Sequence, residues 1–178
     1  MKKIFTFIWE TFKIVIISLA IIIPVRYYLI QPFFVRGASM EPSFDNGQYL
    51  IINEISYRFE EPKRGEVIVF KYPLDSSLYY IKRIIGLPGE TVEVKDNQVI
   101  IYNLEFSQGT VLDESSYLAR GVITWGNIKV TLAKDEYFVL GDNRQASSDS
   151  RQWGALSKEF IIGRVWLRAW PFSQAEVF

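Results

Sequence analysis

The stretch from Ile14 to Val25 reads IVIISLAIIIPV and contains no charged residue. Nine of its positions are Ile, Val or Leu, each favouring transfer into a bilayer by roughly 0.3 to 0.6 kcal/mol, or about 3 to 5 kcal/mol together. Alone the run is too short for a hydrocarbon core of about 30 Å. Phe5, Trp9 and Phe12 extend its apolar surface on one side, and Tyr27, Tyr28, Leu29 and Ile30 on the other, with Arg26 able to snorkel outward. The expected span is about Phe12 to Leu29, with Lys13 and Trp9 near one interface and the Tyr pair near the other. Pro24 then falls in the outer turn, where a kink costs less than at the centre. A buried core helix and a cleaved secretory signal are the competing readings. Against cleavage, Gln31, Pro32, Phe33, Phe34 and Val35 offer no small-x-small pair after the apolar run. Residues 1–30 are therefore read as a cytoplasmic start and single-pass anchor. Lys2, Lys3 and Lys13 favour a cytoplasmic N-terminus, a thin bias given Arg26 and Arg36 beyond the span. Residues 31–178 form the extracytoplasmic domain.

The chain's 178 residues leave room for one domain of ordinary size, or a smaller domain plus an appendage. Beyond the anchor the pattern is mainly β: short runs rich in Ile, Val, Tyr and Phe recur at 48–52, 66–72, 79–85, 91–94, 99–102, 136–140 and 161–170, separated by Gly, Pro, Asp and Asn. In TVEVKDNQVIIY, Asp96 and Asn97 tolerate the left-handed backbone of a tight hairpin turn. Residues 103–124 break the rhythm and predict a long loop or small flap inserted in the sheet.

Lys and Arg total 20, as do Asp and Glu, so no charge excess draws the chain to nucleic acid. With neither Cys nor His, disulfides, thiol nucleophiles, Cys or His zinc sites and every Ser-His-Asp arrangement are excluded. No metal or cofactor is expected, and a side-chain nucleophile would need a Lys or a carboxylate as its base.

Three segments could carry such chemistry. Ser39 lies in RGASMEPSF soon after the anchor, where Gly37 and Ala38 leave the backbone bare for a substrate chain; equally, it is a serine in a loop entering a strand. Met40 is read as a gap-filler or a membrane-facing apolar residue. In YYIKRIIGLPGE, alternation puts Tyr80, Lys82 and Ile84 on one face and Ile81, Arg83 and Ile85 on the other. An ordinary lysine is neutral in about one molecule in 2,500 at pH 7, so Lys82 could serve as a base only if burial disfavours its ammonium. Otherwise its stem covers apolar surface and its head reaches water. GDNRQASSDSR, 141–151, suits any polar turn, yet Asp149 and Arg151 could pair and Ser147 could offer a hydroxyl to an orienting network.

Together these segments resemble the type I signal peptidases, membrane-bound serine proteases with a Ser-Lys dyad. The matching pieces follow the family's order: the anchor, SMEP at 39–42, RGEVIVF at 64–70, YIKRIIGLPGE at 80–90 and GDNRQASSDSR at 141–151. The resemblance implies Ser39 as nucleophile, Lys82 as general base and Ser147 as the residue that orients Lys82. It gives Asp149 with Arg151, Asp142 and Arg83 bracing roles, and Gly37, Ala38, Met40 and Ile81 substrate contacts. It implies an antiparallel β domain at the membrane surface, with lipid and the signal peptides of exported preproteins as partners. Ser43 stands where Thr is common, and Glu66 and Glu90 where Asp is common. Gly37 replaces a serine that in some relatives helps the oxyanion, so the Ser39 N–H is expected to serve. Three rivals remain: a self-cleaving repressor of related chemistry, which would carry a DNA-binding region where this chain has an anchor; a specialised family member with one secretion-system substrate; and a tethered, inactive β binding module.

Overall fold

The structure, a computed structural model, describes the backbone of residues 2–28, 30–119 and 121–178 and the side chains of 3–23, 31–119 and 121–178. Helix α1 (Lys2–Tyr28) starts earlier than the expected span. Its residues 3–23 are apolar and long enough to cross a bilayer, and none of them is buried. Glu10 is paired one turn away with Lys13 (2.7 Å). The helix continues through Pro24 to Tyr28. The expected placements of the Arg26, Tyr27 and Tyr28 side chains, and of Leu29, lie outside the described residues.

Among the described residues twelve strands and one short α-helix follow, in the order β1 (Ile30–Phe34), β2 (Tyr49–Asn53), β3 (Val67–Tyr72), β4 (Asp75–Gly86), β5 (Thr91–Lys95), β6 (Gln98–Tyr102), β7 (Thr110–Val111), β8 (Ile128–Thr131), β9 (Glu136–Leu140), α2 (Ser150–Trp153), β10 (Leu156–Ser157), β11 (Ile161–Trp170) and β12 (Glu176–Val177). The larger sheet runs β1-β2-β11-β3-β4-β9-β10, with β12 also on β11; the smaller runs β7-β6-β5-β8. Each pairing among the described residues is antiparallel, so the chain is mainly β, as its alternating runs predict. The Asp96-Asn97 turn has positive φ at both residues (50° and 64°). The 103–124 segment contributes β7, paired with β6 at the rim of the smaller sheet. Strand β1 was not expected: Pro32 and the two phenylalanines obscure its pattern, but it pairs along all of β2. This puts Phe33 against the core and leaves Phe34 exposed, edge-to-face on Tyr49.

Three apolar clusters set the site. Met40, Phe44, Leu50, Ile52, Val67, Val69 and Val165 pack behind the segment that carries Ser39. Ile68, Phe70, Ile84, Tyr137 and Val139 fill the opposite face of β3, β4 and β9. The third, around Ile85, Val92, Val94 and Phe138, joins the two sheets. There Gly86 is essential, since a Cβ would lie 2.4 Å from Val92 and 2.9 Å from the Phe138 Cβ.

Strand β4 is paired differently along its length. β3 flanks it up to Arg83, whereas β9 joins its other side only from Arg83 to Gly86. Among the described residues no strand pairs with that second side of 75–82.

Candidate active site

Ser39 and Lys82 come from distant parts of the chain and meet at this half-open strand. Lys82 lies opposite Ile68 across the β3–β4 ladder, on the face it shares with Ile84 and Tyr80, as the alternation predicts. It is 3% exposed. Its Nζ donates to the Ser39 Oγ at 2.8 Å and to the Ile81 carbonyl at 2.7 Å, and lies 5.2 Å from the centre of the Tyr80 ring. Burial disfavours the ammonium and pulls its pKa from 10.5 down to about 8, against the opposing pull of the Asp149 and Asp142 carboxylates. The amine is desolvated and next to the alcohol, the arrangement a lysine base requires.

Ser39 sits in a tight turn rather than a strand. Gly37 starts it with φ of +89°, a left-handed conformation natural to glycine. The Gly37 N–H is committed to Asn46 Oδ1 at 2.9 Å. The Glu41 N–H then bonds the Ala38 carbonyl (3.2 Å) and the Phe44 N–H the Met40 carbonyl (2.9 Å). Met40 is buried in the core cluster and does not line the cleft, which corrects its expected role as a substrate contact. The backbone turn puts Ser39 outward and its long apolar neighbour inward, where the thioether fills space between β2 and β3.

The 141–151 loop braces the pair. Arg83 grips Asp142 through two bonds, Nε to Oδ1 at 2.9 Å and Nη2 to Oδ2 at 2.6 Å, and also reaches the Gly65 carbonyl. Asp149 and Arg151 form a second bidentate pair (2.7 and 2.8 Å). Asp149 Oδ2 accepts the Gly141 N–H as well, fixing the end of β9. Asp142 with Arg83 and Asp149 with Arg151 are thus two ion pairs with little exposure. Ser147 does not take its own: its hydroxyl is buried but has no hydrogen-bond partner, so the expected bond to Lys82 is not formed. It packs instead against Gly141, where a Cβ would lie 2.2 Å from the Ser147 Oγ and 2.4 Å from the Ser39 carbonyl oxygen.

Two residues of this loop were missed in the sequence. Asn143 ties it to the serine turn, its amide donating to the Ala38 carbonyl (3.0 Å) and its N–H to the Ser39 carbonyl (3.1 Å). Buried Arg144 bonds the Gly141 carbonyl and is held by Glu114 and Thr124 from the 103–124 segment. A buried cation needs a counter-charge, which was the available signal. Nothing local marks Glu114, thirty residues upstream. The acidic replacements at 66 and 90 keep their charge in use: Glu66 accepts from Tyr57 and Arg164, Glu90 from Arg64.

A cleft of about 650 Å³ opens over the pair. Phe33 to Ser39 form one wall and Ser77 to Lys82 the other, with Ala146 and Ser148 at the end. Gly37, Ala38 and Ile81 are among its lining residues. Among the described residues no group of His, Cys, Asp and Glu is arranged to hold a metal ion.

Fold and site together define a β-sheet protein with a serine beside a buried lysine amine, carried behind an apolar helix. Residues 8–170 match the family model described as signal peptidase, peptidase S26, and the chain belongs to that family of serine endopeptidases. It is 37% identical over 168 residues to the "Probable signal peptidase I-2" of a Synechocystis strain, covering 91% of this chain and 73% of the relative. It is 30% identical over 169 residues to a signal peptidase IB of Staphylococcus aureus, covering 89% of this chain and 87% of that one. A crystal structure of a signal peptidase I from Enterococcus faecalis, 30% identical, matches with a TM-score of 0.48 over 60% of this chain and 97% of that chain.

Proposed function

We propose that Ser39 is the nucleophile and Lys82 the general base of a two-step acyl transfer that removes signal peptides from exported preproteins. The observation that carries this assignment is the 2.8 Å contact between a 3%-exposed Lys82 amine and the Ser39 hydroxyl. In its neutral form the amine accepts the Ser39 proton as Oγ bonds to the scissile carbonyl carbon. The carbon–nitrogen bond then breaks and the lysinium protonates the departing amine. In the second half Lys82 takes a proton from water, the hydroxide attacks the acyl ester, and the proton returns to Ser39 as its ester bond breaks. The Ser39 N–H serves as an oxyanion donor.

The substrate binds extended along the open side of 75–82, where backbone hydrogen bonds are indifferent to side chains and a cleft next to Ile81 and Ala38 admits small residues. The helix anchors the enzyme with its N-terminus in the cytoplasm, so that residues 31–178 work on the extracytoplasmic side. Lys2 and Lys3, ahead of the apolar stretch, support that orientation. Purified protein is expected to cleave a panel of unrelated preproteins after their apolar segments, and Ser39→Ala and Lys82→Ala to abolish cleavage. Equal cutting by the variants would end the assignment, and processing of only one preprotein would replace the general enzyme with a dedicated one.

A further inference from the structure

The segment after residue 170 lies beyond the family match and lines no part of the cleft, yet it packs on the back of the serine turn. Strand β12 pairs with β11, placing Glu176 opposite Arg168 and Val177 opposite Leu167, and the Phe178 N–H donates to the Trp166 carbonyl at 2.9 Å. This brings the Phe178 ring to 4.9 Å from that of Phe44, which is fully buried. Phe44 in turn donates its N–H to Met40, the residue after Ser39. Gln174 makes a second tie, its Oε1 accepting from the buried Gln48 amide at 2.8 Å. Arg168 locks the two together. Its guanidinium faces both rings, 5.7 Å from Phe44 and 5.4 Å from Phe178, and donates to the Ser43 carbonyl (2.9 Å) and the Gln174 carbonyl (2.7 Å).

We propose that residues 172–178 form a strap that holds the turn carrying Ser39 at its distance from Lys82, with Phe178 and Gln174 as positioning residues acting through Phe44 and Gln48. The proposal rests on Ser39 being the nucleophile. Lys82 is placed independently, by the β3–β4 ladder, so loosening the strap moves one member of the pair relative to the other. The strap touches no substrate, and its loss lowers turnover without weakening substrate binding.

The test uses the full chain in detergent and a peptide substrate, with kcat and KM measured well below the unfolding temperature of every variant. Phe178→Ala and Gln174→Ala are expected to lower kcat about 10-fold, the scale of a misplacement below 1 Å, with KM within about twofold and an unmoved midpoint in the pH profile of kcat. Phe178→Tyr, which keeps the ring against Phe44, is expected to restore kcat. An unchanged kcat in both alanine variants, with only a lower melting temperature, overturns the strap. So does a Phe178→Tyr variant as slow as Phe178→Ala. Ser39→Ala in the otherwise unmodified chain is the separate control: if it keeps activity, the nucleophile assignment fails, and if it is inactive while the strap variants are normal, only the strap does.

Discussion

Raising the pH tests the Lys82 assignment most directly, because the expected rate follows from one burial. With a pKa near 8, the neutral fraction is about 1% at pH 6, 9% at pH 7, 50% at pH 8 and 90% at pH 9. The specificity constant kcat/KM is therefore expected to climb nearly tenfold per pH step at first, then flatten, for a total rise of about 90-fold. A solvated lysine at 10.5 would give the same initial slope but no plateau before pH 10. The difference between those two curves measures the net effect of burial against the opposing Asp149 and Asp142 carboxylates, about 3 kcal/mol for a fall from 10.5 to about 8. The assay is kcat/KM, which reports groups of the free enzyme, from initial rates on a peptide well below KM in buffers from pH 6 to 10, with each sample returned to pH 8 to exclude inactivation. A flat profile from pH 6 to 9 would refute the base assignment. A tenfold rise per step continuing past pH 9 would refute the desolvation argument.

Three further outcomes are expected. The unfolded chain keeps the Lys82 proton up to about 10.5 and the folded one releases it near 8, so the unfolded state binds more protons in that window and stability increases as pH rises through it. Lys82→Met should accordingly gain about 1 to 3 kcal/mol in urea unfolding at pH 7 after the loss of its hydrogen bonds, an advantage that disappears above pH 10.5; a net loss at pH 7 would contradict it. Asp149→Ala leaves Arg151 without its bidentate partner and should cost about 3 to 5 kcal/mol, much of it recovered when Arg151→Met is added, a coupling that a double-mutant cycle measures. Gly141→Ala forces a Cβ to within 2.4 Å of the Ser39 carbonyl oxygen and should lower kcat about 100-fold; unchanged turnover would show that the turn yields freely.

The strands that sequence patterning reveals are those with room to alternate. β11 is found at the predicted bounds, 161–170, and β4 carries Lys82 on the predicted face. β7, β10 and β12 are two residues long, too short for a period, and exist only because neighbouring strands offer a partner. The Ser39–Lys82 contact was legible because a lysine among Tyr and Ile invites desolvation, and because the flanking motifs resemble a known family. Met40 was misplaced because a turn, unlike a strand, gives no rule for which side faces the core. The Ser147 rotamer and the Arg144–Glu114 pair depend on packing between segments with no shared pattern, which only coordinates supply.

The half-paired β4 has one more effect. From Ser76 to Ile81 its bare rim has no charge and no proline, the devices with which sheets usually fend off stray polypeptides. Here the wall from Phe33 to Ser39 across the cleft stands guard instead, with the Phe33 ring 5.5 Å from that of Tyr79. A stray sheet edge is too broad to slip between the two, whereas a single unfolded strand is not.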